Sequence, residues 1–357
     1  MKILVGMSGG VDSAVAAWYL QKAGASVLGC YVAAKEEEQE EIERVAAVAS
    51  SLKIPCRYVF KKDAMEHAII DPMIQDYAAG KTPNPCIHCN AAIKFPSLFQ
   101  VLEEEGASWV ATGHYVRKNG NVSGFVLKKG IDPGKDQSYM LSQLPRNMLG
   151  KLLFPLGTFC KEDIRLMGLK AFGSLFFSVP ESQDLCFLKK RNLQDFLEQH
   201  LVEETKKKGP IISHKGEVLG KHGGLFRYTV GQRKGLGLSQ GPWFVYDMCA
   251  YTNTLYVGPP EMLQVSRLCC SHVNWFVPPE SLQGRHLQVK VRYGAKPVGV
   301  CSFSLEKGLL WVQTATNLQG VAPGQGLVLY AEDIMVCGAI IEKTEGRSCS
   351  ERICGQP

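Results

Sequence analysis

The segment that most constrains this chain is its first: residues 2–13 read Lys-Ile-Leu-Val-Gly-Met-Ser-Gly-Gly-Val-Asp-Ser. An apolar run passes into small residues and then into an alanine-rich helical pattern over residues 14–23, which predicts a strand, a tight loop and a helix. Gly9 and Gly10 can take positive φ and let an anion approach the backbone, while the amides that open the helix and its dipole favour negative charge there. Ser8 and Ser13 add hydroxyl groups. No Gly-Lys-Ser/Thr follows, so the loop is not of the Walker type, and the Gly-x-Gly-x-x-Gly dinucleotide pattern is also missing. A glycine turn that only caps a helix through Asp12 or Ser13 would account for one or two of residues 8–13, not for all of them.

Strands are expected at residues 26–32, 55–60 and 109–112, and helices at 36–53, 63–79 and 91–105. Such alternation predicts an α/β fold with a doubly wound parallel sheet, whose ligands bind beyond the carboxyl ends of the strands. That places the loop at Ser8, the segment after Val32 and the segment Gly113-His114-Tyr115 on one rim, with adenine near Val32 and Gly113. The acidic run at residues 36–41 opens a helix, where a solvated face explains it without a metal.

Residues 81–90, Lys-Thr-Pro-Asn-Pro-Cys-Ile-His-Cys-Asn, read as a loop stiffened by two prolines. Cys86 and Cys89 have the C-x-x-C spacing of metal, cluster or redox sites. A structural zinc would need two more ligands; the chain has no second C-x-x-C, and His88 lies too close to both cysteines. Helices are expected again at residues 161–169 and 192–201, and between them local sequence favours a buried core thiol for Cys186, flanked by Leu185 and Phe187.

From about residue 205 the texture changes to glycine-rich turns and short alternating strands. Hairpins are expected at residues 211–219, turning at Lys215-Gly216, at 244–256, turning near Asn253, and at 288–312, turning at Lys307-Gly308. This divides the chain into a catalytic α/β domain with a helical part over residues 1–204, a small β module over 205–266, a C-terminal β barrel over 267–345 and a disordered tail over 346–357. Gly231-Gln232-Arg233-Lys234-Gly235 reads as a mobile basic loop, and Arg292-Tyr293 pairs a guanidinium with an aromatic ring; both suit phosphate contact and base stacking.

The chain has 357 residues and a formal charge of +6, which permits a polyanionic partner without requiring one. No apolar stretch approaches membrane-spanning length and no cleavage-site pattern opens the chain, so a cytoplasmic protein is expected. The 13 cysteines cannot all pair, and a disulfide scaffold is not expected there.

Ser8-Gly9-Gly10-Val11-Asp12-Ser13 resembles the pyrophosphatase loop of ATP-dependent adenylating enzymes, and the chain resembles the tRNA-specific 2-thiouridylases over nearly its whole length. The matching blocks are residues 6–13, 81–95, 111–115, 135–139, 185–187, 229–237, Arg292-Tyr293 and Pro323-Gly324-Gln325. The resemblance implies an adenine nucleotide alpha hydrolase-like domain, and ATP-dependent exchange of sulfur for oxygen at C2 of the wobble uridine of tRNA through an adenylated uridine, with Mg2+. It implies that Gly6, Met7, Ser8, Gly9, Gly10, Val11, Asp12, Ser13, Val32 and Gly113 bind ATP, and that Asn84, Pro85 and Cys86 face the target base. His114, Lys135, Asp136, Gln137, Arg292, Tyr293 and Gln325 would contact tRNA. Cys186 would carry a persulfide from a sulfur-relay donor protein, and Cys89 would attack it, releasing sulfide or forming a disulfide after transfer. A monomer is expected.

Many family members have aspartate, assigned as a general base, where this chain has Cys86, and a thiol of ordinary pKa fills that role poorly. The segment after Val32 is also short for the family. With Cys86, Cys89 and Cys186 present, a [4Fe-4S] cluster on the three thiolates is an alternative to the persulfide relay. The readings outside this family are another ATP-pyrophosphatase synthetase and a non-catalytic RNA-binding protein.

Overall fold

A computed structural model describes residues 1–34, 39–121, 124–173, 185–188, 191–239 and 241–345. The tail at 346–357, and Glu36 to Glu38 of the acidic run, lie outside them. The expected strand, loop and helix form at the start: β1 (Lys2–Met7) leads through residues 8–10 into α1 (Val11–Lys22). Then come β2 (Ser26–Ala33), α2 (Gln39–Leu52), β3 (Cys56–Phe60), α3 (Lys62–Met65) and α4 (Asp71–Ala78), with a π-helical segment, Glu66–Ile70, joining the last two.

The next helix begins earlier than expected. Instead of a loop to residue 90, α5 (Pro85–Cys89) runs through a second π segment, Asn90–Lys94, into α6 (Phe95–Glu104). Pro85 occupies the first helical position, where its missing N–H costs nothing and its fixed φ suits the helix. The C-x-x-C pair therefore lies on a single helical turn.

β4 (Trp109–Thr112) joins β1 in parallel, and the sheet order is β3-β2-β1-β4 with the short β7 (Leu152–Leu153) beyond β4. Both faces are covered, as a parallel sheet requires. Ile3, Val5 and Met7 pack with Ala14, Ala17, Val45 and Val48 of α1 and α2, while Leu4 packs with Leu98, Val101 and Leu102 of α6. The chain order reverses between β1 and β4, which makes their carboxyl ends the switch point where ligands bind. α7 (Lys161–Phe172) lies against α1, and α8 (Leu193–His200) is capped by the Asn192 side chain, which accepts the Gln194 N–H at 2.8 Å.

An unexpected hairpin, β5 (Val116–Asn121) and β6 (Gly124–Lys129), leaves the α/β domain and pairs with the last barrel strand. The central module pairs β8 (Gly209–Ser213), β9 (Val218–His222), β10 (Phe244–Cys249) and β11 (Thr254–Gly258). The C-terminal strands are β12 (Gln264–Trp275), β13 (Leu287–Lys290), β14 (Val298–Glu306), β15 (Leu309–Gln319), β16 (Gly326–Ala331) and β17 (Ile334–Glu345). They close into a barrel because β12 pairs with both β15 and β17. The anticipated turns are present: Asn253 and Lys307 have φ of +50° and +51°, and Gly216 and Gly308 +86° and +79°. Barrel residues Val328, Tyr330 and Met335 share one core with Leu98 and Tyr139, so the modules are not separately packed. Among the described residues no helix is long and apolar enough to cross a membrane.

Candidate active site

The phosphate loop is closed by Ser13. Its buried Oγ accepts the Ser8 N–H at 3.0 Å, donates to Gly10 O at 3.1 Å and lies 3.1 Å from Ser8 Oγ. Gly9 has φ of +72°, and a Cβ there would lie 3.1 Å from Arg44 Cβ of α2. Gly10 is the N-cap of α1 in an extended conformation, and no side chain caps it. The opening amides of the helix are thus left to an anion. Gly113, just after β4, packs on this loop so closely that a Cβ would lie 2.9 Å from Asp12 C and Ser13 N.

A residue that sequence reasoning missed completes the loop. Lys161, 7% exposed at the first turn of α7, places Nζ 2.6 and 2.8 Å from the two carboxylate oxygens of Asp12, and the Tyr115 hydroxyl donates to Asp12 Oδ1 at 2.8 Å. A lone lysine at a helix start carries no motif, so only the fold reveals it.

The paired thiols lie on α5. Cys86 and Cys89 are half-buried, Pro85 is buried, and Asn84 is the N-cap of α5 with its amide 3.9 Å from Met140 Sδ. Burial pushes the Cys89 thiol up to about 11; Lys94 pulls it down and Cys86 raises it further. Burial likewise raises Cys86, again against Lys94. His114 stacks on Phe95 with centroids 5.8 Å apart, meets the edge of Phe154 and places Nδ1 2.8 Å from Thr112 Oγ1. Burial holds its imidazole well below the usual range, with Lys94 adding to the effect. Lys94, also missed in the sequence, acts on both thiols and on His114.

Cys186 is exposed on the turn Cys186–Leu188, while Phe187 and Leu188 point inward with Ile69, Met73 and Phe196. This corrects the core-thiol reading: the neighbours are the core residues and the thiol faces out. Cys89 and Val32 pack on that same cluster, which ties the turn to the active-site rim. The described cysteines are free thiols, so the expected disulfide is not a standing bond of the fold. Among the described residues no three His, Cys, Asp or Glu side chains gather as a metal-binding group, so Cys86, Cys89 and Cys186 are not assembled as cluster ligands here.

Several expected tRNA contacts serve internal bonds. Asp136 is buried and accepts the N–H groups of Gly130 and Ser138 at 3.1 Å and the Ser138 hydroxyl at 3.0 Å. Gln137 Oε1 accepts the Tyr115 N–H at 3.0 Å, and Gln325 Nε2 donates to Thr82 O at 2.6 Å. Lys135 is half-buried beside them. Arg292 is exposed on the segment after β13; Tyr293 lies 6.4 Å from the Tyr139 ring, with Lys290 Nζ 5.5 Å from its centroid. Arg233 and Lys234 are exposed, but their loop is not slack: Gln232 accepts the Thr229 N–H at 3.0 Å and donates to Lys234 O at 3.0 Å.

Residues 1–190 match the family described as the tRNA methyl transferase HUP domain, residues 194–259 its PRC-barrel domain, and residues 265–341 the aminomethyltransferase beta-barrel domain. The tRNA-specific 2-thiouridylase MnmA of Clostridium perfringens is 36% identical over 355 residues, covering 96% of this chain and 98% of the relative. The MnmA of Acetivibrio thermocellus is 35% identical over 357 residues, with 96% and 99% covered, and that of Clostridioides difficile 33% identical with 96% and 98% covered. With the pyrophosphate-type loop, the paired thiols and the terminal barrel in this order, the chain belongs to the tRNA-specific 2-thiouridylase family.

Proposed function

We propose that this enzyme replaces the C2 oxygen of a tRNA wobble uridine by sulfur, using ATP to activate the oxygen as a leaving group. The observation that carries the reading is continuity: Gly113 packs on Asp12–Ser13, His114 follows it and stacks on Phe95 at 5.8 Å, and the helix that bears Cys86 and Cys89 runs through Asn90–Lys94 into Phe95. An anion site and two thiols thus share one rim.

A pyrimidine carbonyl oxygen is a poor leaving group. In the first step it attacks the α-phosphate of ATP and pyrophosphate departs, leaving the uridine adenylated at O2. The loop amides at residues 9–13 and Lys161 stabilise the charge on that pyrophosphate. Asp12 is the loop's carboxylate and a third of its side chain is exposed, which fits Mg2+; the ion would neutralise charge on the phosphates. Val32 and Gly113 flank the adenine, and Asn84, Pro85 and Cys86 face the base.

Sulfur arrives from a relay protein as a persulfide on Cys186, the exposed thiol. Its terminal sulfur attacks C2 and AMP leaves; Cys89 then attacks Cys186 Sγ, breaking the bond to the transferred sulfur and forming a transient sulfur–sulfur bond that an external thiol reduces. Among the described residues the three cysteines are not gathered as ligands, which favours the relay over a cluster. Exposed Arg233, Lys234 and Arg292 supply phosphate contacts and half-buried Tyr293 a stacking contact for tRNA, on a monomer acting in the cytoplasm. The deciding experiment is pyrophosphate release from ATP with and without tRNA. Release that depends on tRNA is expected; release driven by a small acceptor would make the chain another kind of synthetase, and none at all a binding protein.

A further inference from the structure

The residues before α5 are held from the other two modules. Thr82 N–H donates to Pro323 O at 2.8 Å and Thr82 O accepts Gln325 Nε2 at 2.6 Å, so both backbone polar groups of Thr82 end on the turn before β16. Its hydroxyl donates to Thr229 Oγ1 of the central module at 3.2 Å. Lys81 Nζ lies 2.8 Å from Glu342 Oε2 of β17. The fit is close: a Cβ on Gly324 would lie 3.0 Å from Pro83 N, and one on Gly326 2.6 Å from Ile87 Cδ1 of α5 itself.

We propose that Gln325 is a positioning residue for the thiols, acting through Thr82. Only Pro83 lies between Thr82 and the N-cap Asn84, and Pro85 follows. Proline fixes φ, so this link has little freedom to absorb a displacement at Thr82 before it reaches Cys86 and Cys89. α5 continues through Asn90–Lys94 into α6, which holds its C-terminal end, so the place of its first turn, with Cys86 and Cys89, depends on what holds the residues before it. The two β modules thereby set where the thiols stand, which explains why RNA-binding modules are packed against the catalytic helix.

The inference rests on the thiolation reading, and its test separates the two. Gln325→Glu keeps the size but replaces the donor with an acceptor facing Thr82 O. In the full-length protein, kcat for thiolation should fall by about tenfold to a hundredfold, the scale of a roughly 1 Å misplacement. KM for tRNA and affinity for ATP should stay within about twofold, and iodoacetamide should alkylate Cys89 several-fold faster, read by mass spectrometry. Thr229→Val loosens the same residue from the central module, so it should accelerate alkylation in the same direction even if Gln325→Glu folds poorly. Weakened tRNA affinity with kcat and alkylation unchanged would make Gln325 an RNA contact and overturn the proposal; so would unchanged alkylation in both variants. A parent enzyme without tRNA-dependent pyrophosphate release would fail the thiolation reading alone, since alkylation still judges the clamp.

Discussion

Lys161 Nζ lies 2.6 Å from Oδ1 and 2.8 Å from Oδ2 of Asp12, a residue 149 positions earlier in the chain. The phosphate loop has no lysine of its own, and α7 brings one to it. Two further contacts fix the geometry: Lys161 N–H donates to Asp132 Oδ2 at 2.9 Å, and a Cβ on Gly168 of α7 would lie 2.5 Å from Val11 Cγ2 of α1. Without a nucleotide the carboxylate balances the buried ammonium; with one, phosphate oxygens compete for it.

Lys161→Met should therefore weaken ATP binding by at least about tenfold while adenosine binding is retained, and Lys161→Arg should restore part of the loss. Calorimetry with both ligands checks this. Equal losses for ATP and adenosine would reduce the pair to a strut between α1 and α7. Ser13→Ala, which removes the hydroxyl that closes the loop, should abolish pyrophosphate release without changing tRNA affinity.

Exposed Arg233 and Lys234 should each neutralise a phosphate. The logarithm of tRNA affinity should fall with the logarithm of salt, by about 0.7 to 0.9 per neutralised phosphate, and replacing both residues with alanine should flatten the slope by about 1.4 to 1.8. Filter binding across a salt series decides it. A slope that does not change puts the RNA elsewhere.

The thiol pair gives a pH prediction with a definite sign. Cys89 is raised to about 11 by burial, so at neutral pH it is almost wholly the neutral thiol, and its alkylation rate should climb about tenfold per pH unit from 7 to 10, levelling above 11. Lys94 favours the thiolate, so Lys94→Met should slow alkylation at every pH below that plateau. Faster alkylation in the variant would show that Lys94 shields the thiols rather than tuning them.

The strands β1 to β4 of the first sheet were legible because each is an apolar run bounded by turns, and the loop at Ser8 because its residues are small in a fixed order. α5 was not, since five residues opening on a proline show no apolar period. The β5–β6 hairpin hides for another reason: Arg117-Lys118-Asn119-Gly120 is polar, and its partner strand lies more than two hundred residues later, in the barrel. Asp136 and Gln325 could be placed in matching motifs but not assigned their distant partners, because the bonds to Gly130 N–H and Thr82 O run to backbone groups that carry no sequence signal. Cys186 shows the limit of local reading: its neighbours are apolar because they are core, and that says nothing about the thiol between them.

Cys86 tests the chemistry most directly. Burial raises its thiol, so at neutral pH it is a poor base. The relay asks nothing of it, because Cys186 carries the transferred sulfur to C2 and Cys89 breaks the bond that remains. Cys86→Ser should therefore keep thiolation within about threefold of the parent when a persulfide donor is supplied, and anaerobically purified protein should be colourless and low in iron and sulfide. Cys89→Ser and Cys186→Ser should each lose activity by at least about a hundredfold, with pyrophosphate release retained because adenylation precedes sulfur transfer. A cluster makes the opposite demand, that all three cysteines act together. Brown, iron-rich protein whose colour and activity both vanish in Cys86→Ser would overturn the relay and require the Cys186–Leu188 turn to move until its thiol joins the pair on α5.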